Sequence, residues 1–460
     1  MIRNLHLILL TGFLVPVPLA MFAAPTPPSG GARVFSHPVH EKTLSNGLKV
    51  VVVPFDSPGL VAHWVVVRVG SRNEIEPGHS GFAHFFEHMM FRGTEKFPAD
   101  EYNAIIKRMG ADSNAFTSDD LTAYHILAGA DSLPTIMEIE SDRFMNLKYA
   151  KEAFQKEARA VLGEYNKNFS YPESTIVEKL FDAAFQVHTY KHTTMGFLRD
   201  IEDMPNQYDY SLMFYDRYYR PEHCILLVVG DVDPERTFSM AEQYYGPWKR
   251  GSYQVRIAPE PPQAAEKKVE IGWKNPTLPY LTLGYHGPAF SPREKDMPSL
   301  DIISQVAFSE TSPLYRKLVI EEQLVDALSG GAADHRDPNL FVIGARIKDE
   351  TKIGAVREAI EATLEDLKNT PVDAGRLSDI KSHLKYSFQM RLNTAGAVAA
   401  AMAHILQLTG DPGAYDDLYA TYDSLTPADL QEAARKYFRR ENRTVVVLTA
   451  EKGRKSEVKR

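Results

Sequence analysis

The segment His84-Phe85-Phe86-Glu87-His88 contains the residue types of a metal site. In an α-helix the positions i, i+3 and i+4 share one face, so both imidazoles can reach a single ion. Neutral imidazole is a good zinc ligand, and a catalytic zinc site needs three protein ligands and an open position for water. Glu87 would lie beside that water as a general base. The spacing therefore predicts a zinc centre that supports hydrolysis.

The same pattern could also decorate an ordinary helix surface, because the chain contains 15 histidines. The neighbouring residues argue against that interpretation, since they make the helix largely apolar: Phe85, Phe86, Met89, Met90 and Phe91. Burying two imidazoles and a carboxylate there without a metal or hydrogen-bonding partners would be costly.

A second, acidic helix over residues 151–164 offers the missing third ligand. Glu157 and Glu164 lie two turns apart and share a face, so one can bind the metal while the other orients a ligand. Glu152 is expected to be solvated. The residues alone leave the choice between Glu157 and Glu164 open.

Composition bounds the class of protein. The chain has 460 residues, of which 44% are hydrophobic and 24% charged, a length that predicts two to three globular domains. A net charge of -8 provides no basic field for nucleic acid or anionic lipid. The single cysteine, Cys224, excludes an intramolecular disulfide. A peptide substrate remains compatible with all of this.

Residues 1–24 are predicted to be a secretory signal peptide, because an apolar run follows Arg3 and small residues end it. Pro16 and Pro18 interrupt this run, which disfavours a membrane anchor. Residues 25–33 are rich in Pro, Gly and Ser and are expected to form a disordered leader. We therefore expect an exported chain, periplasmic if bacterial, with no membrane span after signal removal.

The mature chain contains an internal repeat. Residues 218–223 lead into an apolar strand and are echoed by residues 437–442 at an offset of 219. A strand-then-helix unit over 125–146 is similarly matched by residues 340–367. The proline-rich segment 251–268 then reads as a linker between an N-terminal domain, 34–250, and a homologous C-terminal domain, 269–460.

Each half alternates apolar β-branched runs with helical patterns. Residues 48–53 and 61–69 are predicted strands, whereas Phe82 to Phe91, 172–185 and 209–219 show helical spacing. The predicted fold class is α+β, with two homologous domains that are each a mostly antiparallel sheet with helices packed on one side.

The zinc motif and its flanks, residues 70–74, 81–83 and 91–94, resemble the pitrilysin-type (M16) metallopeptidases, and the half-length chain is most similar to subfamily M16B. The order H-x-x-E-H is the inverzincin signature. The resemblance implies one Zn2+ per chain, held by His84, His88 and Glu164, with Glu87 as the catalytic base and Glu157 behind the ligands.

The resemblance also implies a mode of substrate binding. Asn114, Ala115 and Phe116 match the family's edge strand, to which an extended peptide adds as a further strand. On the residues alone, Asn114 could equally be a turn residue. Members of the subfamily pair as two chains that enclose a chamber.

The second half departs from the family pattern at two places. The repeat offset puts Ile303, Val306 and Ala307 where the first half has its zinc motif. The family's substrate-binding Arg/Tyr pair falls on Val319 and Asp326. The sequence therefore predicts a zinc endopeptidase subunit whose sister M16B chain supplies that pair.

Two alternatives stay open from the sequence. One is a non-catalytic structural or chaperone-like subunit of a pitrilysin-type complex. The other is a metal-dependent hydrolase acting on substrates other than peptides, which would not predict the edge strand or the two-domain repeat.

Overall fold

The computed structural model describes residues 33–451, and their strands form two sheets. The predicted signal peptide and most of the predicted leader lie outside the described residues, as do residues 452–460. Within residues 33–451, no helix is both long enough and apolar enough to cross a membrane.

The first sheet has six strands in the order β1-β2-β6-β3-β5-β4. Neighbouring strands are antiparallel except for β2 and β6, which are parallel. The strands are β1 His40–Thr43, β2 Lys49–Pro54, β3 Leu60–Val67, β4 Asp112–Thr117, β5 Thr122–Gly129 and β6 Cys224–Gly230.

The second sheet repeats five of these positions in the order β7-β11-β8-β10-β9. Here β7 and β11 are the parallel pair and the remaining neighbours are antiparallel. The strands are β7 Lys267–Trp273, β8 Tyr280–His286, β9 Val325–Ala332, β10 Leu340–Ile347 and β11 Arg443–Ala450. The shared strand order confirms the predicted fold class of two homologous, mostly antiparallel domains.

The helices connect these strands and cover the sheets. In the first half they are α1 Phe82–Met89, α2 Ala99–Arg108, α3 Leu133–Asn146, α4 Lys151–Asn168, α5 Pro172–Ala184, α6 Leu198–Asp203, α7 Tyr208–Tyr218 and α8 Pro234–Tyr245. In the second half they are α9 Asp296–Phe308, the short α10 Pro313–Tyr315, α11 Ile353–Asn369, α12 Ala374–Arg391, α13 Ala395–Thr409, α14 Ala414–Ser424 and α15 Pro427–Tyr437.

Two helices pack against the sheet of the opposite half. Helix α13 is apolar on nearly all sides, which is typical of a fully buried helix, and it packs on β3 and β6. Helix α5 makes the reciprocal contact with β11, β7 and β8. One hydrophobic core therefore continues from the face of the first sheet that α13 covers into the second half.

The valine-rich strand β2 and the wholly buried β6 lie in the interior of the first sheet. Strands buried on both faces are expected to be continuously apolar, which explains why these runs do not alternate.

The helix predicted from Phe82 to Phe91 is shorter in the structure, because the chain tightens into a 3₁₀ turn after Met89. Strand β7 begins at Lys267, inside the predicted linker.

Candidate metal centre and peptide-binding edge

The start of helix α1 is determined by Gly81 and Glu74. Gly81 precedes the helix with a φ of 92°, a conformation that favours glycine. The buried carboxylate of Glu74 accepts hydrogen bonds from the backbone N–H groups of Gly81 and Ala83, each at 2.7 Å. Because these N–H groups have no partner within the helix, Glu74 satisfies them and fixes where α1 starts.

Two histidines of α1 and one glutamate of α4 converge. Their ligand atoms, from His84, His88 and Glu164, all lie within 4.8 Å of one another. Glu164 Oε2 is 3.8 Å from His84 Nε2 and 3.4 Å from His88 Nε2. Ligand atoms bound to one zinc at 2.0–2.1 Å stand about 3.4 Å apart in a tetrahedron, so the arrangement fits zinc without rearranging the helices.

The other acid of α4 lies behind His88. Glu157 Oε1 accepts a hydrogen bond of 2.9 Å from His88 Nδ1, which leaves Nε2 of that ring facing Glu164. Arg92, from the turn after α1, pairs with the second oxygen of the Glu157 carboxylate. Such a carboxylate is the usual partner of a zinc-binding histidine, because it sets the tautomer and the ring orientation.

The two histidines differ in their pKa values. Burial and the neighbouring His88 lower the pKa of His84 to about 4, so this ring is neutral at pH 7. Burial opposes protonation of His88 as well, but its hydrogen bonds to Glu157 and Glu164 raise its pKa to about 9. The hydrogen bond from His88 also lowers the pKa of Glu164. A cation at the ligand atoms would replace the proton on His88 Nε2.

Glu87 lies on the same face of α1 and has a partner of its own. The hydroxyl of Thr117 donates a hydrogen bond of 2.7 Å to Glu87 Oε2. Burial raises the pKa of Glu87, and the Thr117 hydrogen bond opposes this rise. A carboxylate held in this way, next to a metal centre, is positioned to accept and return a proton.

Thr117 belongs to β4, an edge strand of the first sheet, which pairs only with β5 among the described strands. The period of two along a strand puts Ala115 and Thr117 on the face that α1 covers. Asn114 is exposed, and Phe116 packs on the opposite face against Trp64. The segment predicted to bind substrate thus forms an open sheet edge beside α1.

The second half presents different residues at the equivalent places. Helix α9 carries Ile303 and Ala307 as buried apolar residues and Val306 as a half-buried one. Asp326, at the expected position of the tyrosine, forms two hydrogen bonds of 2.8 and 2.9 Å with Arg346 of β10. In the described residues, the cluster of metal-binding character is therefore that of the first half.

Sequence reasoning missed three residues of this site. Glu74 and Thr117 contact the start of α1 and Glu87 of α1, respectively, and Arg92 pairs with Glu157. Arg92 and Glu74 flank the motif in sequence, and Thr117 directly follows the predicted edge-strand residues. The sequence shows which amino acids stand at these positions, but it does not show which residues they contact, because that depends on how α1, α4 and β4 pack.

Comparison with known families matches both halves. The family model described as Insulinase (Peptidase family M16) matches residues 50–197. The model described as Peptidase M16 inactive domain matches residues 207–384, most of which lies in the second half.

Similar proteins cover almost the whole chain. The zinc protease PqqE of Helicobacter pylori is 30% identical, and the match covers 89% of this chain and 93% of that protein. A probable mitochondrial-processing peptidase subunit beta of Schizosaccharomyces pombe is 22% identical over 85% of this chain and 87% of its own.

Solved structures share the fold. The crystal structure of a protease from Helicobacter pylori superposes with a TM-score of 0.84 at 29% identity, covering 90% of this chain and 99% of that one. The periplasmic protease PqqL from Escherichia coli has a TM-score of 0.72 at 19% identity, and the match covers 89% of this chain and 47% of PqqL. The paired sheets, the helix with its inverted zinc motif and these matches lead to one conclusion: the chain belongs to peptidase family M16, a family of zinc metallopeptidases.

Proposed function

We propose that this chain is a zinc-dependent endopeptidase that hydrolyses peptides or unfolded polypeptide segments. The observation that carries the proposal is the convergence of His84 and His88 of α1 with Glu164 of α4, whose ligand atoms lie within 4.8 Å of one another. Helix α1 also carries Glu87, which contacts Thr117 of the edge strand β4. The donor set of two imidazoles and one carboxylate fits a single catalytic zinc.

The roles of the residues follow from their positions. When bound, the zinc supplies a Lewis acid for the peptide carbonyl and for water. The backbone of β4 at Asn114, Ala115 and Phe116 would hold the substrate as an added strand. Glu87 would take a proton from the attacking water and deliver it to the leaving amine, with Thr117 holding the carboxylate in place. Glu157 would keep His88 oriented through Nδ1.

Substitution of the base and of a ligand tests this assignment. Glu87→Gln keeps the size and the hydrogen bond from Thr117 but cannot accept the proton, so we expect normal zinc content and a loss of peptide cleavage by at least about 100-fold. Glu164→Ala should instead lower the zinc content. Near-normal turnover of zinc-loaded Glu87→Gln protein would overturn the assignment.

We further propose that the chain works as the zinc-bearing subunit of a dimer. Val319 and Asp326 occupy the positions of the family's substrate-binding pair, and the ion pair between Asp326 and Arg346 occupies that part of the sheet surface. A sister chain that carries the Arg/Tyr pair would complete peptide binding. Cleavage should rise strongly when such a chain is added to the purified protein, and full activity of the isolated chain would contradict the proposal.

The alternative, a non-catalytic subunit, makes the opposite prediction for the same assays. It requires that zinc binds but that no peptide in a diverse library is cleaved with or without a sister chain.

Export is proposed from the composition of residues 1–24, and cell fractionation with N-terminal sequencing of the mature protein tests it.

A further inference from the structure

Two equivalent hairpins of the repeat touch each other. The turn between β4 and β5, residues 118–121, contacts the loop between β9 and β10, residues 333–339. The first of these turns ends the edge strand that lies beside Glu87, and the second belongs to the half without metal ligands.

His335 makes the central contact. Its Nε2 lies 2.9 Å from Asp119 Oδ2, and its Nδ1 lies 2.9 Å from the carbonyl oxygen of Ala333. Both partners can only accept hydrogen bonds, so both ring nitrogens must carry protons and the ring is an imidazolium. Burial lowers the pKa of His335, but the hydrogen bond and charge of Asp119 outweigh this and raise it to about 9.

Further hydrogen bonds join the same segments. The backbone N–H of Arg336 donates to Asp120 Oδ2 at 3.0 Å, and Asp337 accepts from Arg72 Nε at 2.6 Å. Asp120 also accepts from the hydroxyl of Tyr190 at 2.8 Å and is almost fully buried. The two consecutive aspartates of the turn are thus both bound by the loop of the second half.

The turn is also held by residues 71 and 72 of its own half, and it follows β4 directly in the chain. The Arg72 backbone N–H donates to the Asp119 carbonyl at 2.8 Å, and the Ser71 hydroxyl donates to its side chain at 3.0 Å. Asp119 stands two residues after Thr117, the partner of Glu87. A displacement of the turn would therefore shift the end of the edge strand, where the backbone is proposed to pair with a peptide.

We propose that His335 is a positioning residue for substrate: through Asp119, the half without metal fixes the edge strand β4 in the geometry that captures a peptide. The inference rests on the proposed function of β4 as the peptide-binding edge. It assigns to the second half a role in the chemistry of the first, beyond packing.

His335→Gln tests the proposal, because glutamine can donate to Asp119 but cannot carry the charge or serve both acceptors. We expect KM for a cleavable peptide to rise about tenfold, from the loss of a charge-assisted hydrogen bond, with a much smaller change in kcat. Hydrogen exchange of the β4 amides should accelerate without substrate, and zinc content should not change. Asp119→Asn should produce the same effects, and the double variant should add little, because both act through one contact.

Lys49→Met provides the matched control. Lys49 Nζ donates to the carbonyl oxygen of Gly410 at 2.7 Å, so it also bridges the two halves, but from β2, four places away from β4 in the strand order. This variant should leave KM and β4 exchange unchanged. If His335→Gln behaves like Lys49→Met in both measurements, the contact is only structural and the proposal is overturned. Peptide cleavage by the unsubstituted protein tests the proposed function separately, and β4 exchange is readable without any activity.

Discussion

Glu157 provides the sharpest test of how the proposed metal centre is supported, since its carboxylate contacts the ligand His88 and would affect a bound zinc only through that ring. Its side chain is 5% exposed, accepts the His88 Nδ1 hydrogen bond at 2.9 Å and pairs with Arg92. Glu157→Gln keeps an oxygen that can accept from His88 but removes the negative charge. Glu157→Ala removes both and leaves His88 Nδ1 without its partner.

The expected magnitudes follow from these two losses. Partners of zinc-binding histidines typically contribute about 10- to 100-fold in metal affinity, which corresponds to about 1.4 to 2.7 kcal/mol. Glu157→Gln should lie near the lower figure, because a neutral hydrogen bond still orients the ring. Glu157→Ala should lie near the upper figure, because the ring can then rotate away from Glu164.

The assay is a competition titration of zinc against a chelator of known affinity, at fixed pH and with folding checked by circular dichroism. Glu152→Gln is the control, since Glu152 lies on the same helix but is exposed. It should bind zinc as tightly as the unsubstituted protein. If both Glu157 variants also bind zinc within about twofold of that affinity, the orientation of His88 does not depend on Glu157 and the proposed role is wrong.

Three further predictions concern residues outside the ligand set. Thr117→Val should lower kcat about tenfold at unchanged zinc content, and Thr117→Ser should restore it, because the hydroxyl orients Glu87; equal rates for both variants would contradict this. Glu74→Gln should lower the free energy of unfolding by about 1–3 kcal/mol in denaturant titration, since each carboxylate oxygen accepts a backbone N–H and an amide nitrogen cannot. Folding raises the pKa of His335 to about 9, so the free energy of unfolding of the unsubstituted protein should exceed that of His335→Gln most below pH 6.5. The difference should shrink by about 1.4 kcal/mol per pH unit from there up to about pH 9. A difference that does not vary with pH would exclude the imidazolium.

Much of the site could be predicted because helix geometry is local. The spacing of His84, Glu87 and His88 requires a shared face in any α-helix, and the same holds for Glu157 and Glu164. The repeat likewise predicted two domains of one fold, which the matching strand orders confirm. Apolar runs also predicted the interior strands. The end of α1 at Met89 could not be predicted in this way, because it depends on the 3₁₀ turn that follows.

From the amino-acid sequence alone one can tell which residues share a helix face and which half lacks metal ligands. Which carboxylate meets which histidine depends on the packing of α4 across α1 and so could not be read from the sequence. The contacts of Thr117 with Glu87 and of His335 with Asp119, 216 residues apart, likewise arise from tertiary packing. Periodicity constrains neighbours along one element, whereas contacts between elements are set by the packing of the whole core, and no local pattern encodes them.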